Sequence, residues 1–198
     1  MQFYLGLVIL SFMEGALIFK RSFLRQYAKT IFFLAIAAVT LLNIYYSRNL
    51  YVVWGQSPIM RAMLPPTTPI NYFLFYVFIW AFAPYLLSLA AALILMWALK
   101  LSNRKSGGKY CETEEPWIAA TAIFLCGWPG WLVYLIILIV TYLLAHLLFS
   151  VSRRLRRCEW IDDRLPLYHL WIPIAACSIL ISKLWLPGAL PFWSKLLL

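Results

Sequence analysis

The sequence predicts an all-α fold: a polytopic helical bundle integral to a membrane, with six spans, or seven if one long segment divides. Three observations predict it. Of 198 residues, 64% are hydrophobic and only 12% charged, with mean hydropathy +0.82. A water-soluble domain of this length could not cover so much apolar surface. Long stretches, 70–99 and 117–149, carry no charged residue, and each exceeds the ~20 residues that cross a ~30 Å hydrocarbon core. The 17 Lys and Arg outnumber the 7 Asp and Glu and cluster between the apolar runs, as in Lys20-Arg21, Arg153-Arg154 and Arg156-Arg157. That is how cytoplasmic loops look under the positive-inside rule. Anionic headgroups of the bilayer are the expected counter-charges for these loops, with Arg153, Arg154, Arg156 and Arg157 as lipid or partner contacts. No basic module interleaved with aromatics is present, so nucleic acid is not an expected partner.

The spans fall near 3–19, 31–46, 70–99, 117–127, 131–149 and 168–186, in a single membrane domain over 1–198. The first apolar run lacks a basic flank before it and meets Lys20 and Arg21 after it, so it reads as a retained span rather than a cleaved leader. A basic loop, "KRSFLRQYAKT", leads to 31–46. The connector 47–69 holds Pro58, Pro65, Pro66 and Pro69, a density incompatible with a regular helix. Segment 70–99 has Pro84 in its middle, so it forms one kinked span or two short ones. Placing every basic loop on one side favours the single span and a total of six.

Within 117–149 the motif "CGWPGW", 126–131, interrupts an otherwise helical pattern. Gly127, Pro129 and Gly130 are turn formers, and a proline leaves an earlier carbonyl without its donor. One helix over these 33 residues would be ~50 Å long. The motif therefore predicts a helical hairpin with a short first arm. Trp128 and Trp131 suit a turn at headgroup level, where an indole places its apolar body and its N–H differently. The basic loops at 100–116 and 150–167 then share one face of the membrane.

Acids are scarce, which narrows the candidate chemistry, because ionisable groups at membrane depth are costly and often functional. Glu14 lies inside the first span and is a candidate intramembrane functional residue. Glu112, Glu114 and Glu115 precede Pro116 at the start of the hairpin's short arm, where acids also favour a helix N-terminus. Asp162 and Asp163 share a loop with the arginine cluster. His146 and His169 are read as side chains hydrogen-bonded between helices. The four cysteines, Cys111, Cys126, Cys158 and Cys177, form no CxxC and carry no zinc spacing. "SGGK" at 106–109 lacks the setting of a phosphate loop. No cofactor or metal is expected.

The strings "EEPWIAATAIFLCGWPGW", "LVYLIILIVTYLLAHLLF", "SRRLRR" and "LPLYHLWIPIAACSILI" follow one another here. In this order they make the C-terminal half of the chain resemble the prepilin peptidase family, the membrane aspartic proteases of type IV pilus and secretion systems. In that family a Gly-rich motif ends in an Asp that opens a short span, and a Leu-Gly-Trp-like turn follows about a dozen residues on. Counting twelve back from Gly127 gives Glu115, with Gly107-Gly108 upstream of it. "TTPINYFLFYVF" resembles the family's Ile-Pro-Asn span start through Pro69 and Asn71. The family places its other Asp just before that point, but "SPIMRAMLPPTT" contains no acid. An aspartic protease needs two carboxylates at one site, one ionised and one protonated.

The resemblance thus implies a degenerate relative, lacking the aspartate pair, in a bacterial cytoplasmic (inner) membrane. The leading expectation is a prepilin-peptidase-like component of a pilus, conjugation or secretion apparatus, with prepilin or machinery subunits as partners. It is expected to be non-catalytic or atypical. An alternative is a membrane-embedded acid protease using Glu115, with Asp162 or Asp163 as its second carboxylate. Another is the membrane subunit of a vitamin-type transporter, its 10 Trp, 12 Tyr and 13 Phe lining an apolar pocket. A lipid-modifying enzyme is the least supported, because the acids and histidines make no recognisable catalytic set.

Overall fold

The computed structural model describes residues 2–19, 21–105, 107, 112–156 and 170–189. Among them every regular element is helical. In chain order these are α1 (Gln2–Phe19), α2 (Arg21–Gln56), α3 (Pro58–Arg61), α4 (Ile70–Val77), α5 (Ala83–Lys105), α6 (Glu115–Cys126), α7 (Gly130–Arg156), α8 (Trp171–Leu180) and α9 (Leu186–Ala189). Three stretches are long and apolar enough to cross a membrane: Ser22–Gln56, Ile70–Lys105 and Gly130–Leu148. Tyr4–Phe19, Glu115–Cys126 and Trp171–Trp185 are shorter apolar helices.

Four expected connectors are helical in part: besides the two in α2, residues 100–105 belong to α5 and 150–156 to α7. Residues 21–29 are the first turns of α2 and not a loop, and α2 continues through the expected connector as far as Gln56. The reason is local. No proline or glycine occurs between Arg21 and Trp54, and Lys and Arg are good helix formers wherever they fall. Apart from a break at Ser57, the chain turns irregular only after Arg61, the end of α3. There the Thr67 hydroxyl donates to the carbonyls of Ala62 (2.8 Å) and Leu64 (2.7 Å), and that of Thr68 to Ala62 (2.7 Å).

Segment 70–99 does not divide at Pro84. Ile70–Lys105 is continuous for 36 residues, because α4 passes into α5 through one widened turn of π geometry, Phe78–Phe82. Pro84 has no N–H, and its ring presses on the carbonyl of Trp80, four residues back. Widening the turn moves that carbonyl aside, and the Ala83 N–H bonds to the Phe78 carbonyl, five residues back. The same device recurs before Pro187. There Ile181–Trp185 widens and the Leu186 N–H reaches the Ile181 carbonyl, so the last helix runs past Pro187 instead of ending at it.

The helix breaks at the expected motif. α6 is a 12-residue arm and α7 a 27-residue one. Gly127 ends α6 at φ 65°, ψ 172°, a backbone region essentially closed to side-chain-bearing residues. The turn is not open, however. Gly127, Pro129 and Gly130 are buried, a Cβ on Gly127 would touch the Tyr85 ring at 3.7 Å, and one on Gly130 would meet the Ser182 hydroxyl at 3.3 Å. The Trp131 backbone N–H donates to the Gly127 carbonyl (3.0 Å), while its indole Nε1–H is buried without a hydrogen-bond partner among the described residues. The motif is therefore packed inside protein, which is where irregular backbone at membrane depth is tolerated. Gly127→Ala is expected to destabilise by ~1–3 kcal/mol through its backbone angles. Gly15→Ala, in a helix with nothing within 4 Å of the new Cβ, should be neutral or stabilising by up to about 1 kcal/mol. Thermal unfolding of the two variants in detergent checks the contrast.

The core is built around α6, which touches α1, α2, α5, α7 and α8. Every α6 side chain is buried except that of Trp117, which is half-buried. Ala119, Ala120 and Ala122 let neighbouring helices come close, and a Cβ on Gly6 of α1 would lie 3.4 Å from the Leu125 carbonyl oxygen. A second, smaller core of Trp54, Leu64, Phe73, Val77 and Ala81 joins the far end of α2 to α4. There Trp54 sits 5.4 Å from Phe73 and 5.0 Å from Tyr76, ring centre to ring centre.

Candidate functional site

The head of α6 concentrates the polar groups. Glu114 is its N-cap and Glu115 its first residue; they are 2% and 6% exposed. The Glu114 carbonyl starts the helix by accepting from the N–H groups of Trp117 (3.0 Å) and Ile118 (3.2 Å). Its carboxylate does not cap the helix. Instead Oε2 accepts from the Thr113 hydroxyl at 3.0 Å and lies 3.9 Å from the Arg25 Nε. Oε1 is buried and accepts no hydrogen bond among the described residues. A buried carboxylate is tolerated where a cation lies beside it, and Arg25, 70% exposed, provides that cation from the rim.

Two more cations arrive from different helices. Lys29 of α2 and Lys100 of α5 place their Nζ 5.9 Å and 4.1 Å from the centre of the Trp117 ring, within cation–π range. Phe32 and Phe33 pack against the same indole at 5.8 and 6.2 Å. Arg25 and Lys29 share a face of α2, one turn apart. One end of the bundle thus gathers Arg25, Lys29, Lys100, Glu114 and Glu115. These residues span 25 to 115 in the chain, and only the i, i+4 spacing of Arg25 and Lys29 hints at their meeting.

The other candidate residues fall as follows. Glu14 sits half-buried on α1 with one carboxylate oxygen out of solvent. From Gly6, which faces Leu125, it is eight residues on, ~12 Å of helix toward the end that holds Arg25. His146 is exposed and its ring lies 6.3 Å from that of Tyr142 on the same helix. Arg153, Arg154 and Arg156 occupy the last turns of α7. Arg157, Asp162, Asp163 and His169 lie outside the described residues, as do Cys111 and Cys158. Cys126 is buried and Cys177 exposed, both as free thiols. Among the described residues no three His, Cys, Asp or Glu are grouped to hold a metal.

The segment that resembles the family's other acid site, 57–69, lies far from Glu115. It joins the start of the 36-residue helix whose opposite end carries Lys100, and Pro69 to Lys100 is ~45 Å of helix. No protein-family model matches the chain, and neither a curated protein nor a solved structure matches it.

Proposed function

We propose that the chain is a prepilin-peptidase-like component of a pilus, conjugation or secretion apparatus in a bacterial inner membrane, acting as a scaffold rather than a protease. The sequence resemblance supplies the apparatus. The observation that carries the non-catalytic part is the state of the α6 head. Glu114 is held by Arg25 and Thr113, and one continuous helix keeps segment 57–69 at the far end of the bundle. An acid protease needs a second carboxylate beside the first, sharing a proton with it.

In this reading the helices make six crossings. The basic start of α2, the 100–116 region and the end of α7 face the cytoplasm, and 57–69 faces outward. The contact of Lys29 and Lys100 with one indole supports a common side for the first two. Partner subunits dock on this basic cytoplasmic end.

The test is cleavage and assembly together. The chain is co-expressed with candidate prepilins, with and without Glu115→Ala, and leader loss is followed by mass spectrometry while partner subunits are co-purified. The scaffold reading expects no leader loss and the same partners retained by Glu115→Ala. Cleavage that disappears in that variant would establish the membrane acid protease instead.

A further inference from the structure

Lys29 and Lys100 belong to the basic end described above, and their setting is specific. Each follows or precedes a charge-free stretch: residues 30–47 begin directly after Lys29, and 70–99 end directly before Lys100. Eighteen residues of α2 cover ~27 Å, close to the hydrocarbon thickness. Both ammonium groups therefore stand at the polar edge of apolar helix, and Trp117 between them stands at the depth where indoles gather. Both lysines are exposed. Neither forms an ion pair among the described residues, and Arg25 is the cation that answers Glu114.

Directly below lies apolar surface open to the outside. Phe33, one turn from Lys29, is 54% exposed while touching Trp117. Trp97, one turn before Lys100 on the same face of α5, is 66% exposed. Two cations above, an indole floor between, and aromatic flanks beneath match an amphiphile with a charged phosphate and acyl chains. Neither a soluble anion nor a neutral lipid would use both halves.

We infer that Lys29, Lys100 and Trp117 form a discrete site for the headgroup phosphate of an anionic phospholipid, with its acyl chains lying on Phe33 and Trp97. Basic clefts between helices at the cytoplasmic surface are suited to such headgroups. The site does not depend on the pilus or secretion reading.

The full chain is reconstituted in nanodiscs of equimolar phosphatidylcholine and phosphatidylglycerol, and the lipid it retains is measured by native mass spectrometry. Wild-type protein is expected to keep phosphatidylglycerol selectively. Lys29→Gln/Lys100→Gln is expected to weaken that retention about thirtyfold, at the usual contribution of a lysine near an anionic surface. Lys29→Arg/Lys100→Arg should keep it, and so should Arg48→Gln/Arg61→Gln, which removes equal charge toward the other end of the bundle. Equal loss in that control, or undiminished retention in the glutamine variant, overturns the site. Release of the lipid by inorganic phosphate alone at millimolar concentration overturns the lipid assignment in favour of a soluble anion. A photo-crosslinker at Phe33, with both lysines intact, gives a readout that does not need the glutamine variant to fold. It should capture phosphatidylglycerol over phosphatidylcholine, and equal capture of the two also overturns the proposal.

Discussion

Arg25→Ala is expected to lower stability by about 1–3 kcal/mol. Its side chain is mostly in water, so loss of a surface group alone would predict little. The cost arises at the other partner. Glu114 is almost wholly buried, and beyond Arg25 its carboxylate has only the Thr113 hydroxyl among the described side chains. Without the guanidinium the buried carboxylate loses the cation beside it. Breaking a fully buried pair costs roughly 3–5 kcal/mol. The 3.9 Å separation and the exposure of Arg25 let water screen the interaction, which brings the figure down to about 1–3 kcal/mol.

A double-mutant cycle isolates the effect. Glu114→Gln removes the charge and keeps the shape, so adding it to Arg25→Ala should restore part of the loss. Arg25→Lys should recover only some of it, because a compact ammonium lacks the planar reach of a guanidinium. The readout is the thermal midpoint in detergent. An Arg25→Ala midpoint equal to wild type, with Glu114→Gln giving no compensation, would show that the pair does not hold the α6 head.

How much of this was legible in the sequence depended on whether the signal was local. Gly127 and Pro129 act within one turn, so "CGWPGW" was readable as a break that leaves a short helix before it. The charge-free runs showed directly that the chain is helical and apolar enough for a membrane. Connector boundaries were less readable, since a cluster such as Lys20, Arg21, Arg25 and Lys29 reports where the chain meets water and not where a helix stops. Residues 21–29 and 47–56 are accordingly helical, although charge and proline density placed them in loops. Pro84 was ambiguous for a different reason. Proline disturbs only the turn before it, and whether that turn widens or breaks depends on packing, here the seating of Ala81 and Ser88 in the bundle.

The site was the least legible part. Glu115 stood out by its spacing from Gly127. Glu114 looked like an ordinary acid at a helix start, yet its carboxylate turns away from the helix to Thr113 and Arg25. Nothing in a single sequence pairs Lys29 with Lys100. Their meeting follows from α2 and α5 flanking α6, a fact of tertiary packing. The short α6 is thus both the structural hub and the element that assembles the polar end.

That double role makes α6 the place where a small change should do most damage. Ala119→Leu and Ala122→Leu are each expected to destabilise by about 1–3 kcal/mol, toward the upper end because no face of the helix is free to accept the extra volume. Both alanines have zero exposure, and five helices touch α6. Interiors packed near crystal density transmit such a strain instead of absorbing it. Ala98→Leu adds the same atoms on an exposed position of α5 and should stay within about 0.5 kcal/mol of wild type. The strain should also reach the polar end. Trp117 is one turn from Ala120 on a rigid 12-residue helix, so moving α6 shifts the indole relative to Lys29 and Lys100. Midpoints in detergent test the first effect. Crosslinking between cysteines placed at 29 and 117 tests the second, with slower coupling expected in Ala122→Leu than in Ala98→Leu. Equal midpoints for the buried and the exposed leucine would mean that α6 is loosely held, and the reading of it as the hub of the bundle would fall.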